Sequence, residues 1–573
     1  MLLEALDNND PREYRHTLLT QKGRWTEGTC EWMLRSPLYS QWLNRPLQLL
    51  WITGPPGMGK TMLALYLIAD RDEISRKNSL TLKLIYFFCS AYNGRNTGSY
   101  ILWGLIYQLL DDSEDLFRHI RKPFARHKKA LFRHERFETL WDVFENMIRD
   151  EMLESVTCIL DGLNECRGDS LMPLLSKLRG LFSFNRTSHS ENRQPRVKMI
   201  ITSRKDPKVL EDILGEFPRL RLELTFQDDR TIDIESYIDS RMNELACSER
   251  KKPHLKELRQ NIKRRLVECS GGTYLWVNFA INSLKSRICP ELENAVNEFP
   301  EGLDAMYGRM LLSVSATKKD IVCRMLRWVV TAYRPLTPEE LGTALSTPKA
   351  VGQDLGDAVA DYVHSCFDLL VIIDQKLSEP LSRSVVPVHA SWTDFLLHLN
   401  ENPELRQFHM EPSENHRILA QRILDYSYEF LKEHPRIPIT GHDEVRNYFA
   451  EVSNQPLLEY SCRNSLRHLN DSGVAFLEFS HPLLDAGSHL HQVWLRWQAR
   501  ICGDLWLSRD IGLVHLAALL GQLEIVRFCI ETSHVDVRDQ YQLTPLFYAV
   551  FSGCSSMVSY LLERGADPDA KDC

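Results

Sequence analysis

Residues 49–61, LLWITGPPGMGKT, carry the pattern that decides the fold of this chain. The apolar run Leu49–Thr53 predicts a buried strand, and Thr61–Ala69 beyond the glycines has the spacing of an amphipathic helix. The turn between them matches the phosphate-binding pattern GxxxxGK[ST] at every defined position. Glycines let the backbone N–H groups of such a turn face phosphate oxygens, and the following helix adds its positive N-terminal end. The stretch therefore predicts a nucleotide site, the alternative being a tight glycine turn without a ligand.

Each part of this turn has a predicted role. Lys60 is expected to reach the β- and γ-phosphates, and the Thr61 hydroxyl is expected to bind Mg²⁺. The expected cofactors are Mg²⁺ and ATP or ADP, with GTP as the alternative nucleotide. The predicted nucleotide-binding residues of the turn are Gly54, Pro55, Pro56, Gly57, Met58, Gly59, Lys60 and Thr61.

Two further strand ends supply candidate site residues. Val156–Asp161 is an apolar strand that ends in an acid, so Asp161 is predicted to hold Mg²⁺ through water. Glu165, four residues later, is predicted to orient or deprotonate the attacking water, and the alternative is a solvent-exposed loop acid. Another strand ends at Thr202–Arg204. Arg204 is predicted to sense the γ-phosphate, against the alternative of a surface salt bridge.

Strands and helices alternate up to about residue 230. Amphipathic segments such as Tyr100–Leu110 separate the strands, and this alternation predicts a parallel sheet covered on both faces. Beyond residue 230 the strand signal fades and helical spacing takes over. Beside Leu49–Thr53, the predicted strands are Leu82–Cys89, Val156–Leu160, Val197–Thr202 and Leu222–Phe226.

The last part of the chain contains a repeat. Residues 513–518 align with residues 545–550 at an offset of 32, and Gly521 pairs with Gly553 at the same offset. This period and the segment Thr544–Leu546 resemble ankyrin repeats. About two repeats are visible before Cys573. Because about three or more are normally needed for a stable stack, the sequence predicts a truncated array.

The phosphate-binding turn, Asp161–Cys166 and Thr202–Arg204 together resemble the NACHT branch of signal-transducing P-loop NTPases. The resemblance extends to the nephrocystin-3-like NACHT–ankyrin proteins of filamentous fungi and covers most of residues 25–400 and the repeats. It implies a switch in which a diphosphate holds a closed monomer. A triphosphate then favours an open oligomer that triggers immune-type or incompatibility responses. The additional segments that carry the resemblance are Thr29–Trp32, Asp233–Ile238, Gly272–Val277 and Arg334–Thr337.

The resemblance also assigns individual positions. His389 resembles a winged-helix histidine that touches the diphosphate in the closed state, with a structural core histidine as the alternative. The family commonly has a second Asp where Asn164 stands, so hydrolysis is expected to be slow. It often has a proline against the base just after Gly272. Thr273 and Tyr274 occupy that stretch here, which leaves ATP and GTP both open.

The predicted fold class is multidomain α/β plus α, with a P-loop NTPase parallel sheet, helical and winged-helix modules, a helical region and the start of an ankyrin repeat array. The predicted domains are an N-terminal extension (1–24), the NACHT core (25–230), a helical domain (231–299), a winged-helix-like domain (300–400), a helical linker region (401–505) and the ankyrin repeats (506–573). An effector region at the N-terminus is expected either to be missing from this sequence or to act in trans.

Composition narrows the class of function. The formal net charge is −8, from 69 basic and 77 acidic side chains, which argues against a broad attraction to nucleic acid. The basic segment Arg118–Arg136 is expected to be a solvated helix face, with a nucleic-acid patch as the alternative. The sequence shows no membrane-length apolar run and no secretory leader. With 14 scattered cysteines, a reduced cytoplasmic setting is predicted.

The sequence therefore predicts a nucleotide-controlled signalling switch and slow NTPase. Its expected partners are a protein bound by the ankyrin repeats and further copies of the chain in a nucleotide-dependent homo-oligomer. One alternative is an ankyrin scaffold with a structural, weakly active NTPase. The other is a nucleic-acid-dependent ATPase.

Overall fold

The computed structural model of this 573-residue chain describes most of the sequence. It divides into two units, of which the first comprises residues 1–309 with 389–391 and the second comprises residues 310–388 with 392–573. The described residues are 10–45, 47–78, 82–91, 95–111, 113–132, 136–183, 196–224, 227–246, 252–285, 291–364, 369–375, 382–399, 403–434, 455–473, 481–502 and 511–571.

A parallel five-stranded sheet forms the centre of the first unit. Its strands lie in the order β2-β3-β4-β1-β5, so β4 separates β1 from β3. Parallel pairing brings the carboxyl ends of all five strands to one edge. The strands are β1 (Gln48–Thr53), β2 (Leu82–Phe88), β3 (Ser155–Asp161), β4 (Val197–Ser203) and β5 (Arg219–Arg221).

Helices cover both faces of this sheet, as the alternating pattern predicts. Along β1, Leu49 and Trp51 belong to one buried apolar cluster, whereas Leu50 and Ile52 belong to the cluster on the opposite face. The helices of this region are α1 (Pro11–Lys22), α2 (Trp32–Arg35), α3 (Pro37–Asn44), α4 (Lys60–Asn78), α5 (Gly98–Asp111), α6 (Phe117–His127), α7 (Phe137–Ile148), α8 (Gly168–Ser183), α9 (Lys208–Leu214), α10 (Gln227–Ala246), α11 (Lys252–Ser270), α12 (Tyr274–Lys285) and α13 (Leu292–Asn297).

One predicted strand was placed wrongly. The sequence predicts Leu222–Phe226, but the described strand β5 ends at Arg221, and residues 225 and 226 lie outside the described residues. The reason is a packing requirement: the guanidinium of Arg219 lies 4.2 Å from the centre of the Trp51 ring, and its Nε donates to Thr53 Oγ1. The apolar side chain of Leu222 instead packs beside Gly54, where an added Cβ would lie 3.0 Å from it.

The second unit contains a helical segment with a small antiparallel sheet. Strands β6 (Leu370–Gln375) and β7 (Ser382–Pro387) pair antiparallel, and the Val385 amide also donates to Leu336 O. Thr337 caps the following helix in a reciprocal capping box with Glu340. Glu340 also forms an ion pair with Arg334, which gives the segment Arg334–Thr337 a structural role.

Ankyrin-type helix pairs follow toward the end of the chain. His515 and Tyr548 pack edge to face at 5.6 Å, and the Tyr548 hydroxyl donates to Asp539 at 2.7 Å. The helices from residue 303 onward are α14 (Leu303–Leu312), α15 (Lys319–Thr331), α16 (Pro338–Leu345), α17 (Leu355–His364), α18 (Ala390–Leu397), α19 (Pro412–Glu433), α20 (Leu458–Asp471), α21 (His489–Cys502), α22 (Leu513–Leu519), α23 (Leu523–Thr532), α24 (Pro545–Ser552) and α25 (Ser555–Glu563). Within the described part of the chain, no helix combines the length and the apolar character needed to cross a bilayer.

A buried carboxylate ties the segment before the sheet to the helical region. Asp233 of α10 is 4% exposed, and its Oδ2 accepts from the Cys30 amide at 2.8 Å and from Trp32 Nε1 at 3.0 Å. Cys30 has a left-handed backbone (φ 68°), so its amide is turned toward α10 by a conformation that most residues avoid. The carboxylate therefore satisfies two donors that would otherwise be buried without this partner.

We expect Asp233→Ala to destabilise the protein by about 2–4 kcal/mol, because two donors lose their charged acceptor. Urea unfolding would measure the change. Asp304→Ala, at an exposed acid in the first turn of α14, is the matched control and should change stability by less than about 1 kcal/mol. Equal effects of the two substitutions would contradict the role assigned to Asp233.

Candidate functional site

The phosphate-binding turn connects β1 to α4 at the carboxyl edge of the sheet. Gly57 and Gly59 have φ values of 72° and 81°, which favour glycine. Space is also limited, because a Cβ on Gly57 would lie 2.7 Å from Thr273 Cγ2, and one on Gly59 would lie 3.2 Å from the Tyr274 ring. Thr273 and Tyr274 therefore pack directly against this turn.

Lys60 begins α4 and folds back over the turn. Its Nζ donates to Gly54 O at 2.6 Å and to Pro55 O at 2.8 Å. Burial, together with the neighbouring Arg204, lowers the pKa of Lys60 to about 8, and nearby carboxylates limit the shift. The ammonium is thus held close to the loop backbone in an environment that disfavours its charge.

Asp161 ends β3 and faces the turn. It lies on the sheet face covered by α4, the face that also holds Ile159, and the nearby Thr61 hydroxyl is one of the groups that lower the pKa of its carboxyl. Thr202 Oγ1 donates to Asp161 Oδ1 at 2.5 Å and accepts from the Gly162 amide at 3.1 Å. Burial raises the pKa of Asp161, and these hydrogen bonds oppose the shift. Although Asp161 is only 4% exposed, its carboxylate is therefore bonded to Thr202 at the strand end and lies close to Thr61.

Glu165 lies in the short 3₁₀ turn Leu163–Glu165 that follows β3. It is half-buried, and its Oε2 accepts from the Ala91 amide at 3.2 Å. Burial raises the pKa of this carboxyl group. Ala91 follows β2, so the loops after two neighbouring strands meet at this acid.

Arg204 follows β4, between the other two strand ends. Its backbone N–H donates to Asn164 Oδ1 at 2.9 Å. Its charge contributes to the pKa shifts of Lys60, Glu165 and His389. The structure thus places Arg204 close enough to Lys60, Glu165 and His389 for its charge to act on them. The hydrogen bond from the Arg204 amide is accepted by the amide oxygen of Asn164, and the carboxylate of an aspartate could accept it equally well.

His389 belongs to the first structural unit, which also contains the phosphate-binding turn. The Ser391 amide donates to its Nδ1 at 3.2 Å, and Ser391 Oγ lies 2.8 Å from the same atom. Burial and three cations, Lys22, Arg204 and Lys60, lower the pKa of His389 to about 3. The imidazole is therefore neutral with Nδ1 as an acceptor, so its proton lies on Nε2. The Ser391 hydroxyl then donates to Nδ1 and accepts from Tyr307 OH at 2.9 Å.

Two groups that act on the site residues were not predicted from the sequence. The Ala91 amide at Glu165 could not be found, because backbone donors carry no residue signature. Lys22 lies at the end of α1, in the segment predicted as an N-terminal extension, yet its charge acts on Asp161, Glu165 and His389. A single lysine at a helix end is common, so only the folded chain identifies it.

The residues present fit a Mg²⁺–nucleotide complex. Thr61 and Asp161 offer a hydroxyl and a carboxylate, the oxygen donors that Mg²⁺ prefers. In the described ranges, no group of three or more His, Cys, Asp or Glu side chains could hold a metal alone. Mg²⁺ at this point would therefore take its remaining ligands from phosphate and water, as it usually does.

Comparison with known proteins gives matches for two parts of the chain. Residues 28–204 match the family described as nephrocystin 3, N-terminal, and residues 504–572 match ankyrin repeats. The chain joins a NACHT-like domain to ankyrin repeats. Over 407 residues, 69% of this chain, it is 30% identical to the vegetative incompatibility protein HET-E-1 of Podospora anserina. It spans only 28% of the length of that relative.

Two solved structures are also similar to parts of the chain. One is a signal transduction ATPase with numerous domains from Pyrococcus horikoshii, which has a tetratricopeptide repeat sensor. It shows 13% identity and a TM-score of 0.32, over 91% of this chain and 67% of that one. The other is the ORC2 protein of Aeropyrum pernix, with 14% identity and a TM-score of 0.26, over 61% of this chain and 87% of that one. The parallel sheet, the NACHT-like domain and the ankyrin repeats confirm the predicted fold class.

We expect Thr202→Val to destabilise the NACHT-like domain by about 1–3 kcal/mol, because the Gly162 amide loses its acceptor and Asp161 loses a donor. Thr202→Ser keeps the hydroxyl and should retain more of the stability, with only a methyl group removed. Urea unfolding of both variants would compare them. A serine variant as unstable as the valine variant would show that the hydroxyl contributes little.

Proposed function

We propose that this chain is a nucleotide-controlled signalling switch that binds ATP, or GTP, with Mg²⁺ and hydrolyses it slowly. The observation that carries the proposal is the meeting of Thr61, Lys60 and the buried carboxylate of Asp161 at the edge of the sheet, where Arg204 and Glu165 also lie. A polyphosphate in the turn would meet backbone N–H groups, two cations, and a hydroxyl and a carboxylate suited to Mg²⁺.

The chain's own residues divide the chemistry among them. Lys60 would exchange its two backbone carbonyl acceptors for phosphate oxygens. The negative phosphates would stabilise the protonated form of Lys60, which burial disfavours. Glu165 would orient the attacking water and take its proton, and a raised pKa makes its carboxylate a better proton acceptor. Arg204 would stabilise charge on the γ-phosphate. Mg²⁺, when bound, neutralises charge between the β- and γ-phosphates.

Slow turnover is consistent with the neutral side chain at position 164. Asn164 accepts from the Arg204 amide, so it keeps the two loops joined. It adds no negative charge next to Asp161, as an aspartate there would. Fewer acidic groups would hold Mg²⁺ less strongly, and less charge on the γ-phosphate would then be neutralised during hydrolysis, so turnover would be slow.

The ankyrin repeats are the proposed partner-binding part. Phe547, Val550 and Phe551 of α24 are 40%, 60% and 50% exposed and lie on one side of the helix. Exposed apolar groups of this kind are typical of protein interaction surfaces. We therefore propose that a protein partner binds the repeats and that binding is coupled to oligomerisation, in incompatibility-type responses like those of the family.

Lys60→Ala should weaken nucleotide binding by at least about 100-fold, because it removes the cation that contacts two phosphates. Isothermal titration calorimetry with ATP and ADP in Mg²⁺ would measure the affinities. Lys208→Ala, at an exposed lysine in α9, is the control and should bind as the unmodified protein does. Unchanged binding by the Lys60 variant would refute the proposed nucleotide site.

Glu165→Gln should reduce phosphate release by about 10²–10⁴-fold while nucleotide binding is retained, because an amide cannot accept the proton of water. Its carbonyl oxygen can still accept from the Ala91 amide, so the fold should be preserved. A malachite-green assay on purified protein would measure release. Turnover that persists in this variant would favour the alternative, a repeat scaffold with a structural NTPase.

A further inference from the structure

The helix α1 lies outside the matched family region, yet it is fixed against the nucleotide-binding sheet. The ring centres of Tyr14 and Phe88, the last residue of β2, are 6.3 Å apart. Leu18 is 5% exposed and belongs to the apolar cluster that also contains residues of α4. The guanidinium of Arg95 lies 4.6 Å from the Tyr14 ring. The helix therefore ends close to the carboxyl edge of the sheet, with Lys22 as its last residue.

The chain is also held on the other side of Lys22. Gly23 turns the backbone with a φ of 76°, and the Trp25 ring then packs edge to face on Tyr66 of α4 at 5.6 Å. Leu19 and Trp25 both pack against the apolar cluster that contains Leu63 and Leu67 of α4. Met58 and Met62, on either side of Lys60, pack against the same cluster. Anchors three residues before and three residues after Lys22 thus confine its position beside the start of α4.

The electrostatic neighbours of Lys22 are the site residues themselves. Burial raises the pKa values of Asp161 and Glu165, and the charge of Lys22 opposes both shifts. Burial lowers the pKa of His389, and Lys22 is the first of the three cations that add to the effect. Lys22 itself is exposed, so its ammonium keeps contact with water while acting on all three groups.

We propose that Lys22 is a third phosphate-binding cation of the nucleotide site and that it selects for the γ-phosphate. This inference rests on the proposed nucleotide site. In the proposed site Glu165 orients the water that attacks the γ-phosphorus. A cation whose charge acts on Glu165 would therefore lie nearer the γ-phosphate than the β-phosphate, which the turn surrounds. Lys22 would then contact a triphosphate and miss a diphosphate.

The consequence is that α1 takes part in sensing the nucleotide state. Lys60 would contact the β-phosphate of both nucleotides, so only part of its contribution differs between them. A contact made only with the γ-phosphate contributes its whole free energy to the difference between the two nucleotides. Since α1 is packed on β2 and near the loop that holds Glu165, its end is in place before the nucleotide arrives.

The test is the ratio of two affinities, measured by calorimetry with a non-hydrolysable ATP analogue and with ADP, both in Mg²⁺. Lys22→Ala should weaken binding of the ATP analogue about tenfold, the size expected for one charge-assisted contact at an exposed site. The affinity for ADP should change less than about threefold. Lys22→Arg should keep most of the preference. Arg24→Ala, an exposed cation two residues away, is the matched control and should leave both affinities unchanged.

Each outcome separates this inference from the nucleotide site itself. If the unmodified protein binds neither nucleotide, the proposed function fails. If it binds both and Lys22→Ala leaves the ratio unchanged, or lowers both affinities equally, only the role of Lys22 is refuted. Thermal unfolding of the variant should match that of the unmodified protein, because Lys22 is exposed, and a lowered midpoint would indicate a structural role instead.

Discussion

The position of β4 between β1 and β3 is the constraint on which the site depends. Parallel pairing sets Thr53 beside Ser203 and Leu160 beside Ile201, so three strand ends share one edge. Thr202 then lies on the same face as Asp161, the face that α4 covers. A slip of one residue in β4 would turn Thr202 to the other face and leave Asp161 without that hydrogen bond.

Several groups of like charge lie close together at this edge, which is electrostatically unfavourable. Lys22, Lys60 and Arg204 raise the local positive potential, which is one reason why the pKa values of Lys60 and His389 are lowered. The buried Asp161 and the half-buried Glu165 balance part of this potential. Because buried charges are stabilised only by partners, an anion placed among the cations would relieve the repulsion between them.

Local patterns in the sequence predicted most of this arrangement. The four longer strands followed from apolar runs, whose effects are local. The short β5 was misplaced because its position is set by the contact of Arg219 with Trp51, which joins distant parts of the chain. Lys22 and the Ala91 amide escaped prediction for the same reason, since neither has a neighbouring pattern that marks it.

The tautomer of His389 bears on what kind of switch this chain could be. With a pKa of about 3 and Nδ1 engaged by Ser391, the ring stays a neutral Nε2–H donor throughout the physiological pH range. A contact from it to phosphate would therefore respond to the nucleotide and not to pH.

One hydrogen bond to a charged group contributes about 1.5–3 kcal/mol, whereas moving an equilibrium from about 1:99 to 99:1 takes about 5.5 kcal/mol. A nucleotide-driven switch at this site would consequently need several contacts that differ between diphosphate and triphosphate. Arg204 and Lys22 are the groups placed to add to His389, and partner binding at the repeats would supply what remains.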